Sequence, residues 1–107
     1  MGQLALQNDI GFHVDCCLGG FFFPFVKLAF KDEELNFDFS VPGVQTISVD
    51  THKYAFGPKG LSVLLFRDKH LKSFLNYHSL WEGGVYHSNS RQDEKPAAII
   101  AGSYSII

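Results

Sequence analysis

Two stretches of the chain read as strands from their apolar patterning, and each ends on a charge. "IGFHVDCC", residues 10–17, is a short apolar run that reaches Asp15 where a buried strand would carry another apolar side chain. "QTISVD", residues 45–50, is the second, and it delivers Asp50, Thr51, His52 and Lys53 in one burst before the turn at Gly57 and Pro58. "LSVLLF", residues 61–66, is a third, continuous and apolar. The loop between the second and third strands is too short for a helical crossover, so this pair is predicted to be antiparallel.

The remaining segments carry weaker signals. "MGQLALQND" reads as the last turns of a helix, followed by a turn from Asn8 to Gly11. "LGGFFFPFVKLAF" mixes a glycine pair with five phenylalanines and is predicted as loop, then short helix. "KDEELNFDFSVPGV" is a polar connection with a turn at Pro42 and Gly43. "RDKHLKSFLNYHSLW", residues 67–81, fits one helix with Leu71, Phe74 and Leu75 on a single face, broken by Gly83 and Gly84. From Tyr86 the chain is polar through "HSNSRQDEK" and ends in the apolar "PAAIIAGSYSII", and no internal repeat is present.

Composition narrows the classes. With 107 residues and 46% apolar content, one domain is expected. A formal charge of −2, with no run of Lys or Arg, argues against a nucleic-acid partner. Cys16 and Cys17 are adjacent, so their side chains point apart; both are read as reduced, in an intracellular setting. The longest apolar run, "CCLGGFFFPFV", falls well short of the roughly 20 residues a membrane helix needs, and Met1 opens no signal peptide. His70, His78 and His87 have no ligand spacing with either cysteine, so no metal is predicted.

Chemistry enters at the strand ends. A charge inside an apolar strand is costly unless it is paired, and the carboxyl ends of strands in open α/β sheets are where ligands bind. An Asp on one strand and a Lys after another suit a pyridoxal phosphate enzyme, in which the acid keeps the pyridine nitrogen protonated and the amine engages the aldehyde. An Asp–Lys ion pair capping the sheet is the plainer reading of the same two residue types. His52 and Thr51 add donors that an anion such as a phosphate would accept.

The motifs "HVDCCLGGF", "VPGV", "SVDTHKYAFGPKG" and "WEGGVY", in this order, closely resemble the sphingosine-1-phosphate lyases, within the pyridoxal-phosphate-dependent group II decarboxylases. The similarity runs from Leu4 to Tyr86. It implies an α/β fold, a fragment of the large domain of the type I aminotransferase-like (PLP-dependent transferase) fold, with a mixed sheet. Residues 1–86 are then part of the PLP-binding large domain and residues 87–107 a divergent C-terminal tail.

By resemblance, Lys53 is the Schiff-base lysine, Asp15 the partner of the pyridine nitrogen, and His52 a contact near the phosphate. Cys17 matches a small residue that packs on the cofactor ring. Lys59 matches a second lysine that assists proton transfer or binds the substrate phosphate; the plainer reading is a solvent-exposed turn lysine. The implied reaction is retro-aldol cleavage of a phosphorylated sphingoid base to a long-chain aldehyde and phosphoethanolamine. The family also implies a homodimer at the cytosolic face of the endoplasmic reticulum membrane. Its phosphate grip, ring-stacking histidine and membrane anchor correspond to positions upstream of Met1, so the chain is expected to match a central slice and to be inactive alone.

Three further readings are weighed. His13 lies on the same strand face as Asp15, and a packed structural histidine is favoured over a contact near the ring. Phe21, Phe22, Phe23 and Phe25 are assigned to core packing or a dimer contact rather than to a lipid channel. Against the lyase stand an amino-acid decarboxylase fragment, which uses the same Asp and Lys, and a non-catalytic remnant that binds no cofactor.

Overall fold

The computed structural model describes residues 1–31, 35–88 and 95–107, with the backbone alone for 79–81 and 85–88. The chain opens with a short helix, α1 (Gly2–Gln7), and runs into β1 (Phe12–Asp15). A 3-10 turn (Gly19–Phe21) and α2 (Phe23–Phe30) follow, with Pro24 in the first turn of α2 where its missing N–H costs nothing. This segment and the connection after it form the crossover that returns the chain to β2 (Val44–Asp50), which lies parallel to β1. β3 (Ser62–Phe66) then pairs antiparallel with β2, as its short connection predicts. The three-stranded sheet has the order β1-β2-β3.

Strand alternation divides the sheet into two unlike faces. Cys16, Val44, Ile47 and Val49 form the buried core, and Phe12, Val14, Val63 and Phe21 pack against them. The connection predicted as merely polar contributes Phe37, Phe39 and Val41 to the same core. Gly20 lets the 3-10 turn sit directly on the sheet: a Cβ there would lie 2.1 Å from Val49 Cγ1. The opposite face carries His13, Asp15, Thr46, Ser48 and Asp50.

Arg67, just past β3, fastens the entry to β2. Its Nε donates to the Val44 carbonyl at 2.5 Å, and Nη2 donates to those of Phe39 and Val41 at 2.7 and 3.0 Å. The guanidinium also lies over the Phe39 ring, 5.4 Å from its centroid.

The helix predicted over residues 67–81 is largely replaced. Asp68 caps α3 (Lys69–Ser73) by accepting from the His70 N–H at 2.7 Å, but α3 ends after five residues. β4 (Tyr77–Trp81) and β5 (Gly84–Ser88) then form an antiparallel hairpin, making five strands among the described residues where three were expected. Leu71, Phe74 and Leu75 have helical spacing, yet only Leu71 is half-buried while Phe74 is 74% exposed, so the face is too little covered to extend the helix. Tyr77, Trp81, Val85 and Tyr86 favour strand, and Gly84, at φ 136°, permits the tight reversal.

The end of the chain forms α4 (Ala97–Tyr104), whose Ser103 is buried against the loop after β2. The polar part of the tail reading at residues 89–94 lies outside the described residues. Among the described residues no helix is long and apolar enough to cross a membrane. Phe25, Leu28 and Phe30 of α2 are strongly exposed. Phe21 and Phe25 also line an apolar cleft of about 380 Å³ with Tyr54, Ala55, Phe56, Ile106 and Ile107, so the phenylalanine cluster divides between core and open surface.

Arg67→Met removes a charged donor from three carbonyls and is expected to cost about 2 kcal/mol, read as a lowered urea midpoint. Arg67→Lys is expected to recover little of that loss, because one ammonium cannot reproduce the planar fork.

Candidate functional site

Because β1 and β2 run parallel and adjacent, their carboxyl ends meet at one edge of the sheet. The register sets Asp15 opposite Ser48 and His13 opposite Thr46, so four polar side chains share a face. Ser48 Oγ donates to Asp15 Oδ1 at 3.0 Å, and the Cys17 backbone N–H reaches the same oxygen at 3.0 Å. These bonds, the Cys17 N–H foremost and Ser48 next, hold the Asp15 carboxyl below its ordinary range despite some desolvation. His13 bridges Thr46 Oγ1 (Nδ1, 2.9 Å) and Ser48 Oγ (Nε2, 3.1 Å). His13 is therefore an exposed, hydrogen-bonded residue of the polar face and not the packed histidine expected from the sequence.

β2 stops at Asp50, so Lys53 sits in the turn beyond the strand rather than at its end. Lys53 Nζ lies 3.0 Å from Asp50 Oδ2, and His52 Nε2 is 4.0 Å from the same oxygen. Ser62, across the ladder on β3, donates to Asp50 Oδ1. The Ser62 hydroxyl first, and then Lys53, hold the Asp50 carboxyl below its ordinary range. The Lys53 ammonium is pushed above its ordinary range by the Cys17 side chain first and by Asp50 second. The Cys17 backbone joins the two strand ends: its N–H donates to Asp15, and its carbonyl accepts from the Asp50 N–H at 3.4 Å.

The turn is held from below. Thr51 is fully buried, and its hydroxyl donates to the Leu61 carbonyl at 3.0 Å and meets Ser103 Oγ at 3.3 Å. The Gly57 N–H closes the turn onto the Thr51 carbonyl at 2.8 Å, and Phe56 takes a left-handed φ of 58°, a strained setting for a bulky residue. Tyr54 stacks on Phe22 with ring centroids 5.0 Å apart. His52 Nδ1 contacts the Leu61 carbonyl at 3.3 Å.

Of the residues singled out from sequence, Asp15, Cys17, His52 and Lys53 come together at this edge. Thr51 does not join them, its hydroxyl being turned into the protein. Lys59 stands apart as an exposed turn residue. Among the described residues no group of three or more His, Cys, Asp or Glu is placed to hold a metal ion. An ionised acid and an amine at one open edge suit a ligand carrying both a basic ring nitrogen and a carbonyl.

Thr46, Ser48 and Ser62 complete the site and were not among the sequence candidates, and Asp50 was read only as the charge that ends its strand. The alternation of "QTISVD" carried the signal, since it sets Thr46, Ser48 and Asp50 on one face. What hid them was the register with β1, which only the fold supplies.

No protein-family model matches the chain. Curated relatives do match over nearly all of it. The sphingosine-1-phosphate lyase of Dictyostelium discoideum is 42% identical over 98% of this chain and 20% of its own length. That of Arabidopsis thaliana is 44% identical over 98% of this chain and 19% of its own, and sphingosine-1-phosphate lyase 1 of Rattus norvegicus 42% over 100% and 19%. Among solved structures, a sphingosine-1-phosphate lyase from Burkholderia pseudomallei superposes with a TM-score of 0.91 at 36% identity, over 99% of this chain and 24% of that one. A Lactobacillus brevis glutamate decarboxylase, with a TM-score of 0.71 at 23% identity over 97% of this chain and 24% of its own, shares the fold. The chain spans about a fifth of the length of the curated relatives it matches. Along nearly its whole length, in both sequence and backbone, the chain is similar to one segment of the sphingosine-1-phosphate lyases.

Proposed function

We propose that this chain is part of a pyridoxal-phosphate-dependent carbon–carbon lyase, which within the complete protein cleaves phosphorylated sphingoid bases into a long-chain aldehyde and phosphoethanolamine. The observation that carries the reading is the parallel pairing of β1 with β2, which brings Asp15 and the turn bearing Lys53 to one edge of the sheet.

The donor set fits the cofactor at two of its functional groups. Asp15, kept ionised by two donors, suits a protonated ring nitrogen, and Lys53 offers the amine that would anchor the aldehyde. Cys17 lies between them, where a small side chain can pack on a ring. His52 is a donor beside Lys53, and Lys59 is open to a substrate phosphate. Thr51 contributes by fixing the turn that carries His52 and Lys53. When bound, pyridoxal phosphate supplies the electron sink that lets the C2–C3 bond of an amino alcohol break. Asp15 secures the charge state that such a sink needs, because an unprotonated pyridine withdraws electrons far less.

Residues 1–86 then belong to the large cofactor domain and 87–107 to a divergent tail, of which α4 is seated on the catalytic turn. A homodimer at the cytosolic face of the endoplasmic reticulum membrane follows from the same family reading.

Adding pyridoxal phosphate to the chain is expected to give an absorbance band that borohydride converts into a stable adduct at Lys53, located by peptide mass. Lys53→Ala abolishes the adduct. A chain that forms no adduct, or forms it only at Lys59, is the non-catalytic remnant or has been misassigned. Asp15→Ala is expected to weaken capture by roughly tenfold or more, the loss of one charged hydrogen bond, with an unchanged far-ultraviolet spectrum. Near-normal capture would refute the role of Asp15.

Because the Cys17 side chain and Asp50 raise the Lys53 pKa, the neutral amine grows in as pH rises, and capture should quicken with it. Asp50→Asn removes one of the groups holding the proton, so the pH midpoint of capture is expected to move downward, measured by borohydride trapping at a series of pH values.

A further inference from the structure

We propose that His13 and Ser48 are positioning residues for Asp15: a directed hydrogen-bond chain along the polar face fixes which oxygen of Asp15 is left for a ligand. The proposal deepens the cofactor reading above and rests on it for its purpose, though not for its geometry.

The direction of the chain follows from counting protons. A serine hydroxyl has one hydrogen, and Ser48 spends it on Asp15 Oδ1 at 3.0 Å. The 3.1 Å contact between Ser48 Oγ and His13 Nε2 is therefore a bond in which Nε2–H donates. A neutral His13 must then be the Nε2–H tautomer, with Nδ1 accepting from the Thr46 hydroxyl at 2.9 Å. The opposite tautomer would draw the Ser48 proton onto Nε2 and strip Asp15 of a donor. The chain thus runs Thr46 to His13 to Ser48 to Asp15.

The consequence lies on the carboxylate. Oδ1 already accepts from Ser48 and from the Cys17 N–H, which occupies it and sets the plane of the group, so Oδ2 is the oxygen offered to a ring nitrogen. Cross-strand register makes this possible, since His13 faces Thr46 and Asp15 faces Ser48. The other ionisable groups at this edge are Cys17 beside Asp15, Asp50 at the end of β2, and His52 and Lys53 in the turn. Asp50 is already engaged by Ser62 and Lys53.

Nitrogen-15 spectra of the histidine-labelled chain, without cofactor, test the direction: neutral His13 should carry its proton on Nε2. An Nδ1–H tautomer overturns the proposal. Carbon-13 titration of Asp15 tests the purpose. In Ser48→Ala its midpoint should move up toward the ordinary carboxylate value, whereas Ser48→Thr keeps the hydroxyl and should leave it in place. His13→Gln can still donate to Ser48 and should resemble the parent chain, while His13→Phe leaves the Ser48 proton in place but unoriented and should move the Asp15 midpoint part of the way toward that of Ser48→Ala. A Ser48→Ala chain with an unmoved Asp15 titration reduces the network to a sheet contact and refutes the proposal.

Capture of pyridoxal phosphate separates the two levels. Ser48→Ala should bind it roughly tenfold more weakly, while borohydride still fixes what is bound onto Lys53. If the parent chain captures none, the cofactor reading fails, and the cofactor-free spectra still decide the hydrogen-bond chain.

Discussion

The structure depends on the parallel pairing of β1 with β2. Parallel strands bring their carboxyl ends to one edge, so two segments separated by the long crossover deliver an acid and an amine to the same place. The register matters as much as the direction, because side chains alternate with a period of two. A slip of one residue would carry Asp15 and His13 to the core face and leave Ser48 facing an apolar neighbour. The core packing of Ile47, Val49 and Cys16 holds that register, so the hydrophobic face of the sheet aligns its polar face.

Around this pair the rest of the chain acts as support. The 3-10 turn rests on Val49 through Gly20, and Arg67 fastens the connection that leads into β2. Thr51 and Ser103 join beneath the turn, so the last helix bears on the loop that presents Lys53. The candidate groups themselves sit near solvent, while residues that fix their backbone, Thr51 and Ser103 among them, are buried. That division suits a site that must admit a ligand without losing its shape.

Much of this was legible in the sequence. Asp15 and the burst from Asp50 to Lys53 stand out because charge interrupts apolar strands, and the short loop before Leu61 fixed the antiparallel pairing. Other features needed the fold. Thr51 reads as one more donor in a polar burst, yet its hydroxyl turns inward, since a loop this tight must satisfy its own carbonyls. His13 resembles a core histidine in an apolar run, and only its partner strand shows it to be a hydrogen-bonded bridge. The β4–β5 hairpin was hidden by Leu71, Phe74 and Leu75, whose helical spacing carries no weight without a surface to cover. Arg67 offered no signal at all, because its three carbonyl partners come from a distant connection.

The ion pair between Lys53 and Asp50 bears on selectivity among carbonyl compounds. An amine stored as its conjugate acid has no lone pair to donate, so reducing sugars and stray metabolic aldehydes meet an inert group. Reaction is reserved for a guest that stays long enough for the proton to be handed away. On the proposed reading of Lys53 as the amine that holds the cofactor, the acid beside it is a guard against glycation until a suitable guest has settled.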